Sequence, residues 1–392
     1  MITWNDFQEK GNNQILPNYK RNSNEPLFIA KTGGSTGKPK NVMLSDKCFN
    51  IQAHQHLNLP INYSMGDRWV RMWPLFSASM AVPASHLPLC YGMTQIIEPA
   101  FDVDKIDELI LNYRPNHLIV ISHCIDSLLQ SEKLKGVDLS YIKTLGIGGE
   151  SITAEYEEKI EQFMIEHNIT PNMTYGYGMT ENASGATSRF SAETSTVGGV
   201  GIPLVNTIIK IIDHDTEEEL KYGEQGEICV LSSNHMLEYY NEPEKSKDVL
   251  RTHADGRVWL HSGDLGYMDE NGQLFVKGRT KRMIMLFDGH KVYPLDLEEL
   301  LETIPEISRA VVVTEKDPLH PSGVTPCAFV TLNSEISTEE LRKKVDCIIN
   351  ENCEDFVKIN SIYIKDELPK TAIGKVDIKM LEQMAKENSS KT

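Results

Sequence analysis

A glycine-rich stretch near the start of the chain contains the residue types that hold an anion. It reads AKTGGSTGKPK from Ala30 to Lys40. Backbone N–H groups of such a loop can converge on one anion, because glycine lets the chain turn back and come close. A Walker P-loop is excluded, since the spacing from Gly33 to Gly37 is one residue too short and Pro39 follows the lysine. Taken alone, the stretch is also compatible with a flexible polar turn.

Three further segments place glycine beside polar or charged groups. They read YGYGMTENAS at 175–184, HSGDLGYMDENGQLFVKGR at 261–279 and LPKTAIGKVDIKML at 368–381. Each is a weak signal alone, but the glycine-rich stretch followed by these three in this order is specific. With this arrangement the chain resembles the adenylate-forming superfamily, which contains acyl-CoA synthetases, peptide-synthetase adenylation domains and luciferases. The resemblance extends from Phe28 to Leu381.

The resemblance implies activation of a carboxylic acid by ATP with Mg²⁺. Enzymes of this superfamily join a carboxylate to the α-phosphate of ATP, expel pyrophosphate, and pass the acyl group to a thiol or an amine. The reaction brings two anions together, so the site must neutralise charge and align the reacting groups. We therefore expect an AMP-forming acid–thiol ligase that uses ATP and Mg²⁺, with CoA as a candidate thiol.

The glycine-rich stretch matches the phosphate loop of the superfamily. The matching positions are Thr32, Gly33, Gly34, Ser35, Thr36, Gly37 and Lys40. By resemblance, the hydroxyl groups and the lysine of this set hold the β- and γ-phosphates that become the leaving group. Asn41 is a minor departure, because the superfamily usually has glycine there.

The Tyr-Gly-Met-Thr-Glu sequence matches a motif that contacts adenine and magnesium. The resemblance makes Tyr177 a stacking face for adenine, with Gly178 and Met179 beside it. It makes Thr180 a donor to the α-phosphate and Glu181 a ligand of Mg²⁺, which prefers hard oxygen ligands beside phosphates. Without the other motifs, Thr180-Glu181 would be interpreted as a helix cap.

Two further matches concern the nucleoside. By resemblance Asp264 accepts both ribose hydroxyls, as the two oxygens of a carboxylate can, and Arg279 assists at the ribose or phosphate. Gly148, Gly149 and Glu150 match a segment that lines the adenine pocket. From the residues alone, Asp264 could instead be a turn aspartate and Arg279 a surface arginine at a domain edge. Gly148 to Glu150 could be only a turn at the end of a strand.

The C-terminal motif carries a lysine that the superfamily uses in catalysis. By resemblance Lys375 bridges the substrate carboxylate and the α-phosphate in the first half-reaction, and a point charge on a long stem suits this task. Rotation of the small domain about a hinge at Lys281 then removes it and opens a thiol tunnel. The segment before Gly289 has one extra residue relative to the superfamily pattern. The local alternative for Lys375 is a solvated side chain.

The residues after the phosphate loop bear on the acid. Adenylation domains for α-amino acids carry an aspartate that pairs with the substrate ammonium, whereas this chain has Phe76-Ser77 in WPLFSASM. Many acyl- and aryl-CoA ligases have histidine at the position of Ser77. We expect a pocket at Phe76 and Ser77 for an uncharged acyl or aryl group. The acceptor is expected to be CoA or the thiol of a separate carrier protein, since no carrier signature is fused to the chain.

Composition limits the class of protein. The net charge of −17 disfavours nucleic acid and anionic membranes as general partners. We find no apolar run long enough for a membrane span and no signal peptide in MITWNDFQEKGNNQ. The seven cysteines are scattered singly, which is typical of reduced thiols in a cytoplasmic protein rather than of disulfides or zinc.

The order of predicted elements indicates an α/β fold. Buried strands at 27–30, 94–97, 117–122 and 144–149 alternate with helices at 103–114 and 154–168, which predicts a parallel sheet covered by helices. Short strands at 206–213, 226–231 and 273–278 predict an antiparallel β region. We expect a large N-terminal domain, 1–279, of mixed parallel sheets with helices plus that β region. A small mobile C-terminal α+β domain, 280–392, would carry Lys375.

The early position of the phosphate loop suggests a shortened N-terminus. Superfamily members usually have a further subdomain before this loop, and its loss would bare apolar surface. We therefore expect self-association, most simply as a homodimer, or a partner chain, unless helices such as 44–59 repack over the surface. The rival interpretations are a stand-alone adenylation enzyme that loads a carrier protein, and a non-catalytic nucleotide-binding or partner subunit.

Overall fold

The computed structural model describes residues 4–11, 22–32, 39–72, 75–98, 101–147, 154–170, 173–189, 198–214, 216–320, 323–370 and 376–389. The α-helices of these residues are α1 (Trp4–Gly11), α2 (Asp46–Leu57), α3 (Ala78–Ala81), α4 (Leu87–Cys90), α5 (Ile106–Tyr113), α6 (Ser122–Leu129), α7 (Ala154–Glu166), α8 (Pro243–Val249), α9 (Pro294–Glu302), α10 (Thr338–Asn352) and α11 (Ile378–Ser389). Over the same ranges, no helix has the length and apolar character needed to cross a membrane.

The strands are numbered in chain order. They are β1 (Pro26–Lys31), β2 (Asn41–Ser45), β3 (Arg68–Arg71), β4 (Thr94–Ile97), β5 (His117–Val120), β6 (Thr144–Ile147), β7 (Met173–Tyr175), β8 (Gly178–Met179), β9 (Ser184–Gly185), β10 (Thr187–Ser188), β11 (Ile202–Pro203), β12 (Thr207–Ile212), β13 (Gly226–Ser232), β14 (Glu238–Tyr239), β15 (Leu250–Thr252), β16 (Val258–Met268), β17 (Leu274–Arg279), β18 (Ile284–Met285), β19 (Lys291–Val292), β20 (Ile307–Lys316), β21 (Val324–Leu332) and β22 (Ile362–Ile364).

A parallel sheet forms the centre of the N-terminal part. Its strands lie in the order β4-β3-β5-β6-β7, and α5, α6 and α7 join successive strands, because parallel neighbours need a crossover. β6 is buried along its whole length, and a side chain at Gly146 would press on Thr174. The predicted α/β arrangement is confirmed. The strand predicted at 117–122 ends at Val120, because Ser122 begins α6.

The strand predicted at 27–30 exists but belongs to a different sheet. β1 pairs antiparallel with β2, and β2 pairs antiparallel with β14. The expectation that this segment contributes to the parallel sheet is therefore wrong. Leu27 and Ile29 are half-exposed, whereas Ala30 is buried, so the segment has one buried face rather than two. The sheet positions both ends of the glycine-rich stretch.

An antiparallel sheet follows, as the short strands predict. Its order is β12-β13-β16-β15, and β17 pairs with β16. β16 is the longest strand and contacts β13, β15 and β17 in this sheet. It therefore fixes the relative positions of side chains that are far apart in the chain, including Asp264 and Arg279.

The C-terminal part has an α+β arrangement. β21 lies between β20, which is antiparallel to it, and β22, which is parallel to it. Residues of α9 and α10 pack in one hydrophobic cluster with these strands, and α11 packs in another. The side chain of Ser337 caps α10 by accepting from the N–H of Glu340. Helix α11 was not among the predicted elements.

Candidate nucleotide and acid activation site

Strands β1 and β2 hold the two ends of the glycine-rich stretch together. The N–H of Thr32 donates to the carbonyl of Lys40 at 3.0 Å, and the N–H of Lys40 donates to Oγ1 of Thr32 at 2.9 Å. Asn41 pairs with Lys31 in the hairpin and accepts from the N–H of Tyr240. Asn41 has no positive φ, so glycine is not required there.

A buried tyrosine connects the lysine of this stretch to the proposed magnesium ligand. The ammonium of Lys40 donates to the hydroxyl of Tyr239 at 2.9 Å, and that hydroxyl donates to Oε1 of Glu181 at 2.6 Å. Burial raises the pKa of Tyr239, and the neighbouring Glu181 raises it further, so the phenol stays protonated. Burial lowers the pKa of Lys40, and Glu181 opposes this shift. We call these three residues the lysine–glutamate cluster.

The Tyr-Gly-Met-Thr-Glu motif lies in a tight strand-to-turn segment. Gly178 is in β8, where a side chain would collide with the backbone of Ser184 on β9. Thr180 and Glu181 form a 3₁₀ turn directly after Met179. The carbonyl of Glu181 accepts from the N–H of Met236 at 2.7 Å, which anchors the turn to the segment before β14. The helix-cap interpretation therefore does not describe this turn.

A second group of charged side chains surrounds Asp264. The register of β16 and β17 places Asp264 opposite Arg279, and Nε of Arg279 lies 2.7 Å from Oδ1 of Asp264. The hydroxyl of Tyr177 donates to Oδ2 at 2.6 Å. Burial raises the pKa of Asp264, while Arg279 and the Tyr177 hydrogen bond oppose that shift. Burial and the Asp264 charge raise the pKa of Tyr177. We call these three residues the aspartate–arginine cluster.

The two clusters influence each other electrostatically. The charge of Glu181 raises the pKa of Asp264, and the charge of Arg279 acts on Tyr239 in the lowering direction. Tyr177 of one cluster and Glu181 of the other also belong to the same short motif. Four segments that are remote in the chain therefore meet in one region: the end of the glycine-rich stretch, the Tyr177–Glu181 motif, β14 and the β16–β17 pair.

The segment after β17 contains Lys281. Thr280–Arg282 form a 3₁₀ turn, and Oγ1 of Thr280 donates to the carbonyl of Gly263 at 2.9 Å. The charge of Lys281 lowers the pKa of Lys40, which places Lys281 within electrostatic reach of the lysine–glutamate cluster. Lys281 thus lies at a turn beside the proposed site.

The two proposed pocket residues have different environments. The side chain of Phe76 is 48% exposed, and its carbonyl accepts from the N–H of Lys31. Oγ of Ser77 caps α3 by accepting from the N–H of Met80. Ser77 therefore has a local structural role, and the backbone of Phe76 connects this segment to β1.

Several predicted site residues lie outside the described residues. They are Gly33, Gly34, Ser35, Thr36, Gly37, Gly148, Gly149, Glu150 and Lys375. The segment containing Lys375 is flanked by an antiparallel bridge between Lys370 and Val376, and the N–H of Asp377 donates to the carbonyl of Pro369. The ends of this segment are therefore held close to each other.

Sequence reasoning missed Tyr239. It lies 58 residues after Glu181 and is 1% exposed, whereas the adjacent Tyr240 is 47% exposed. Tyr239 ends β14 and Tyr240 follows it; because successive residues of an extended chain point to opposite faces, one of the two tyrosines is expected to be buried. That signal could have indicated a buried tyrosine but not its partners.

Two family models match the chain. One, described as AMP-binding enzyme, matches residues 3–240, and the other, described as AMP-binding enzyme C-terminal domain, matches residues 296–375. The chain is 30% identical over 361 residues to 4-coumarate–CoA ligase 3 of Oryza sativa subsp. japonica, which covers 89% of this chain and 62% of that protein. The chain thus spans less than two thirds of the length of this relative.

Solved structures resemble the chain over most of its length. An ATP-bound RpMatB-BxBclM chimera has a TM-score of 0.84 at 25% identity, over 95% of this chain and 71% of that one. O-succinylbenzoate coenzyme A synthetase of Bacillus subtilis, solved with ATP and magnesium ion, has a TM-score of 0.76 at 27% identity, over 92% of this chain and 70% of that one.

Proposed function

Because the chain belongs to the family of AMP-binding enzymes, we propose that it activates a carboxylic acid with ATP and Mg²⁺ and transfers the acyl group to CoA. In the first half-reaction a carboxylate oxygen attacks the α-phosphorus, the bond from this phosphorus to the bridging oxygen breaks, and pyrophosphate leaves. In the second, the thiolate of CoA attacks the acyl carbonyl and AMP leaves. The whole sequence is an acid–thiol ligase reaction.

The observation that carries the proposal is the meeting of the two clusters. The lysine–glutamate cluster offers a cation and a carboxylate joined by one buried hydroxyl. The aspartate–arginine cluster offers a buried carboxylate held by Tyr177 and Arg279. Lys40 would hold phosphate oxygens, and Asp264 would accept from the ribose hydroxyls through lone pairs that its two partners leave available. A charge-neutralising site of this kind is what attack of one anion on another requires.

Glu181 fits Mg²⁺ by its chemistry and its surroundings. Its carboxylate is a hard oxygen ligand, and the hydroxyl of Tyr239 fixes the position of Oε1. Among the described residues, no hydrogen bond to Oε2 is observed, so that oxygen can face the ion. When bound there, Mg²⁺ would neutralise charge on the phosphates. Thr180, the preceding residue of the same turn, would donate to the α-phosphate.

For the acid, we propose an uncharged acyl or aryl group. Ser77 has no charge to pair with a substrate ammonium, and its hydroxyl is engaged in capping α3. Two of the similar proteins are named for 4-coumarate and o-succinylbenzoate, which are both aromatic carboxylic acids; 4-coumarate matches an uncharged group, whereas o-succinylbenzoate carries a second carboxylate and supports only the aryl part of the proposal. For the acceptor, we propose CoA, because both names also include it. The alternative acceptor, which the assay below also tests, is a separate carrier protein with a pantetheine thiol.

The C-terminal part is proposed to deliver Lys375. The hydrophobic cluster of the N-terminal part extends to Val276, and that of the C-terminal part begins at Ile284. This separation supports a boundary at Arg279 and a hinge at Lys281. Hinges are turns that absorb changes in φ and ψ between two packed bodies.

Homodimer formation stays a prediction. Size-exclusion chromatography with light scattering tests it, and a strictly monomeric active protein at micromolar concentration contradicts it.

The test of the proposed function is acid-dependent exchange of labelled pyrophosphate into ATP. A panel of aryl and aliphatic acids is assayed with Mg²⁺, and each acid that supports exchange is then incubated with CoA or with a pantetheinylated carrier protein. Glu181→Gln is expected to abolish most of the exchange. Glu218→Gln, on an exposed residue of the same chain, is the matched control.

The outcomes separate the competing interpretations. Exchange together with thioester formation on CoA supports the proposal. If a thioester forms only on the carrier protein, the acceptor is the carrier protein instead of CoA. A folded protein that binds ATP but supports no exchange with any acid overturns the enzymatic proposal in favour of a nucleotide-binding subunit. Equal activities of Glu181→Gln and Glu218→Gln would remove Glu181 from the site.

A further inference from the structure

A cluster of one cysteine and two histidines lies in the antiparallel sheet, outside the two clusters described above. Cys229 is on β13, His261 is on β16, and His253 directly follows β15. The register of the sheet places Cys229 opposite His261. One ligand atom from each of the three side chains lies within 4.8 Å of the other two. Two strands and the residue after a third therefore bring together three metal-ligating side chains.

The orientation of His261 is suited to metal binding. Its Nδ1 lies 3.1 Å from Oε2 of Glu227, and a carboxylate only accepts hydrogen bonds, so Nδ1 carries the proton. The lone pair of the neutral ring is then on Nε2, which faces His253 at 2.8 Å. A carboxylate that fixes a histidine in this way is the usual support of a metal-bound imidazole.

We propose that Cys229, His253 and His261 bind one Zn²⁺ ion, through Sγ and one ring nitrogen of each histidine. A thiolate with two imidazoles is a ligand set that zinc accepts in tetrahedral geometry. The protein supplies three ligands, so the fourth position would take water. On binding, the thiol proton of Cys229 is released to solvent, and the proton that Nε2 of His253 donates to His261 is transferred through solvent to Nδ1 of His253, which frees the Nε2 lone pair for the ion.

The ligand atoms lie near enough to one another that a small movement would let them bind one zinc ion. With Zn–N of about 2.0–2.1 Å and Zn–S of about 2.3 Å, tetrahedral ligand atoms are separated by roughly 3.3–3.6 Å. The two imidazole nitrogens lie 2.8 Å apart and must separate by about 0.5 Å, which replaces their hydrogen bond by two bonds to the metal. His253 is partly exposed, so its ring can move and the ion can enter from its side.

The cluster lies among both apolar and charged side chains. Cys229 packs with Ile212 and Trp259, and the ring of His253 lies 5.7 Å from that of Trp259. Lys210 lies over the ring of Trp259, with its ammonium 4.2 Å from the ring centre. Its positive charge opposes a cation, whereas Glu227 favours one. The buried position of Cys229 protects a zinc–thiolate bond from water.

Glu227 connects the cluster to the segment that carries Asp264. Oε1 of Glu227 accepts from the N–H of Gly263 at 3.0 Å, and the next residue is Asp264. A zinc ion would fasten β13, the end of β15 and β16 to one another. We therefore expect bound zinc to stabilise the sheet that carries Asp264.

Cobalt is the spectroscopic probe of the proposal. The full chain is freed of metal with a chelator and titrated with Co²⁺, then with Zn²⁺ in competition. The expected result is one equivalent of Co²⁺ per chain, with visible bands of a tetrahedral ion and a thiolate charge-transfer band, both removed by one equivalent of Zn²⁺. Zinc is also expected to raise the thermal midpoint of the metal-free protein.

Variants assign the ligands. His253→Gln, at a partly exposed position, and Cys229→Ser should each weaken zinc binding by more than about 100-fold, and Cys229→Ser should remove the charge-transfer band. Glu227→Gln should weaken binding by about 10- to 100-fold and keep the band, since it only orients His261. The matched controls are the exposed residues His123→Gln and Cys347→Ser, which should bind as the parent does.

The proposal is overturned if the parent protein shows no thiolate charge-transfer band with one equivalent of Co²⁺. It is also overturned if His253→Gln, with the thermal midpoint of the metal-free parent, binds zinc as tightly as the parent. Binding of several equivalents that no variant changes would show nonspecific uptake by surface groups, and this outcome overturns the site too.

Discussion

Replacing Tyr239 with phenylalanine tests whether one buried hydroxyl positions two charged groups of the proposed site. That hydroxyl donates to Glu181 at 2.6 Å and accepts from Lys40 at 2.9 Å. Tyr239 is 1% exposed, and phenylalanine keeps the ring, so the substitution opens no large cavity. The perturbation is therefore the loss of two hydrogen bonds, each with a charged partner.

The magnitude follows from those two bonds. A hydrogen bond to a charged group contributes about 1.5–3 kcal/mol. Lys40 and Glu181 can approach each other once the hydroxyl is gone, so we expect the net loss to equal about one such bond. An energy of this size corresponds to a decrease of roughly 10- to 100-fold in kcat/KM for ATP. Since Glu181 is the proposed Mg²⁺ ligand, part of the loss should appear as a higher Mg²⁺ requirement.

The assay is pyrophosphate exchange at several Mg²⁺ concentrations, with the best acid of the panel. Tyr240→Phe is the matched control, because Tyr240 is the next residue and is 47% exposed. It should change kcat/KM by no more than about twofold, the usual limit for a surface substitution. The reasoning is refuted if Tyr239→Phe, folded as judged by circular dichroism, behaves like this control, or if its loss is the same at every Mg²⁺ concentration.

Three further predictions concern the same site. Lys375→Ala should lower adenylation on the order of 100-fold or more and largely spare thioester formation from a preformed acyl-adenylate, with Lys379→Ala as control; equal loss in both half-reactions contradicts the role of Lys375. Lys281→Pro should leave adenylation nearly intact and slow thioester formation, because proline restricts the turn; an unaltered second half-reaction moves the hinge elsewhere. Asp264→Asn should abolish most ATP binding yet raise the thermal midpoint near neutral pH, because burial raises the pKa of Asp264 and so its charged form opposes folding. This gain should shrink as the pH falls through that raised pKa, and a destabilised variant at neutral pH that still binds ATP is the contrary result.

Much of the fold could be predicted because the local spacing of apolar residues indicates which side chains are buried. The strand predicted at 94–97 coincides with β4, and the helix predicted at 154–168 begins with α7 at Ala154 and ends two residues after it. In both elements the apolar side chains recur with the period of the helix or strand, because each element packs against one or two neighbouring layers of structure. The apolar spacing of α11, in which Leu381 and Ala385 are buried, is also that of a helix, although no helix was predicted there. The error at β1 had a different cause, since a short apolar run does not reveal which strand will pair with it.

The order of the motifs and the residue types that adenylate chemistry needs can be identified in the amino-acid sequence. Which of these side chains meet depends on how the strands pair: Arg279 reaches Asp264 through the β16–β17 register, and Tyr239 reaches Glu181 from 58 residues away. The pairing of Cys229 with His261 arises in the same way from the β13–β16 register. These meetings depend on register because a shift of one residue moves a side chain to the opposite face of the sheet. Register depends on contacts along the whole sheet, which no single stretch of sequence contains.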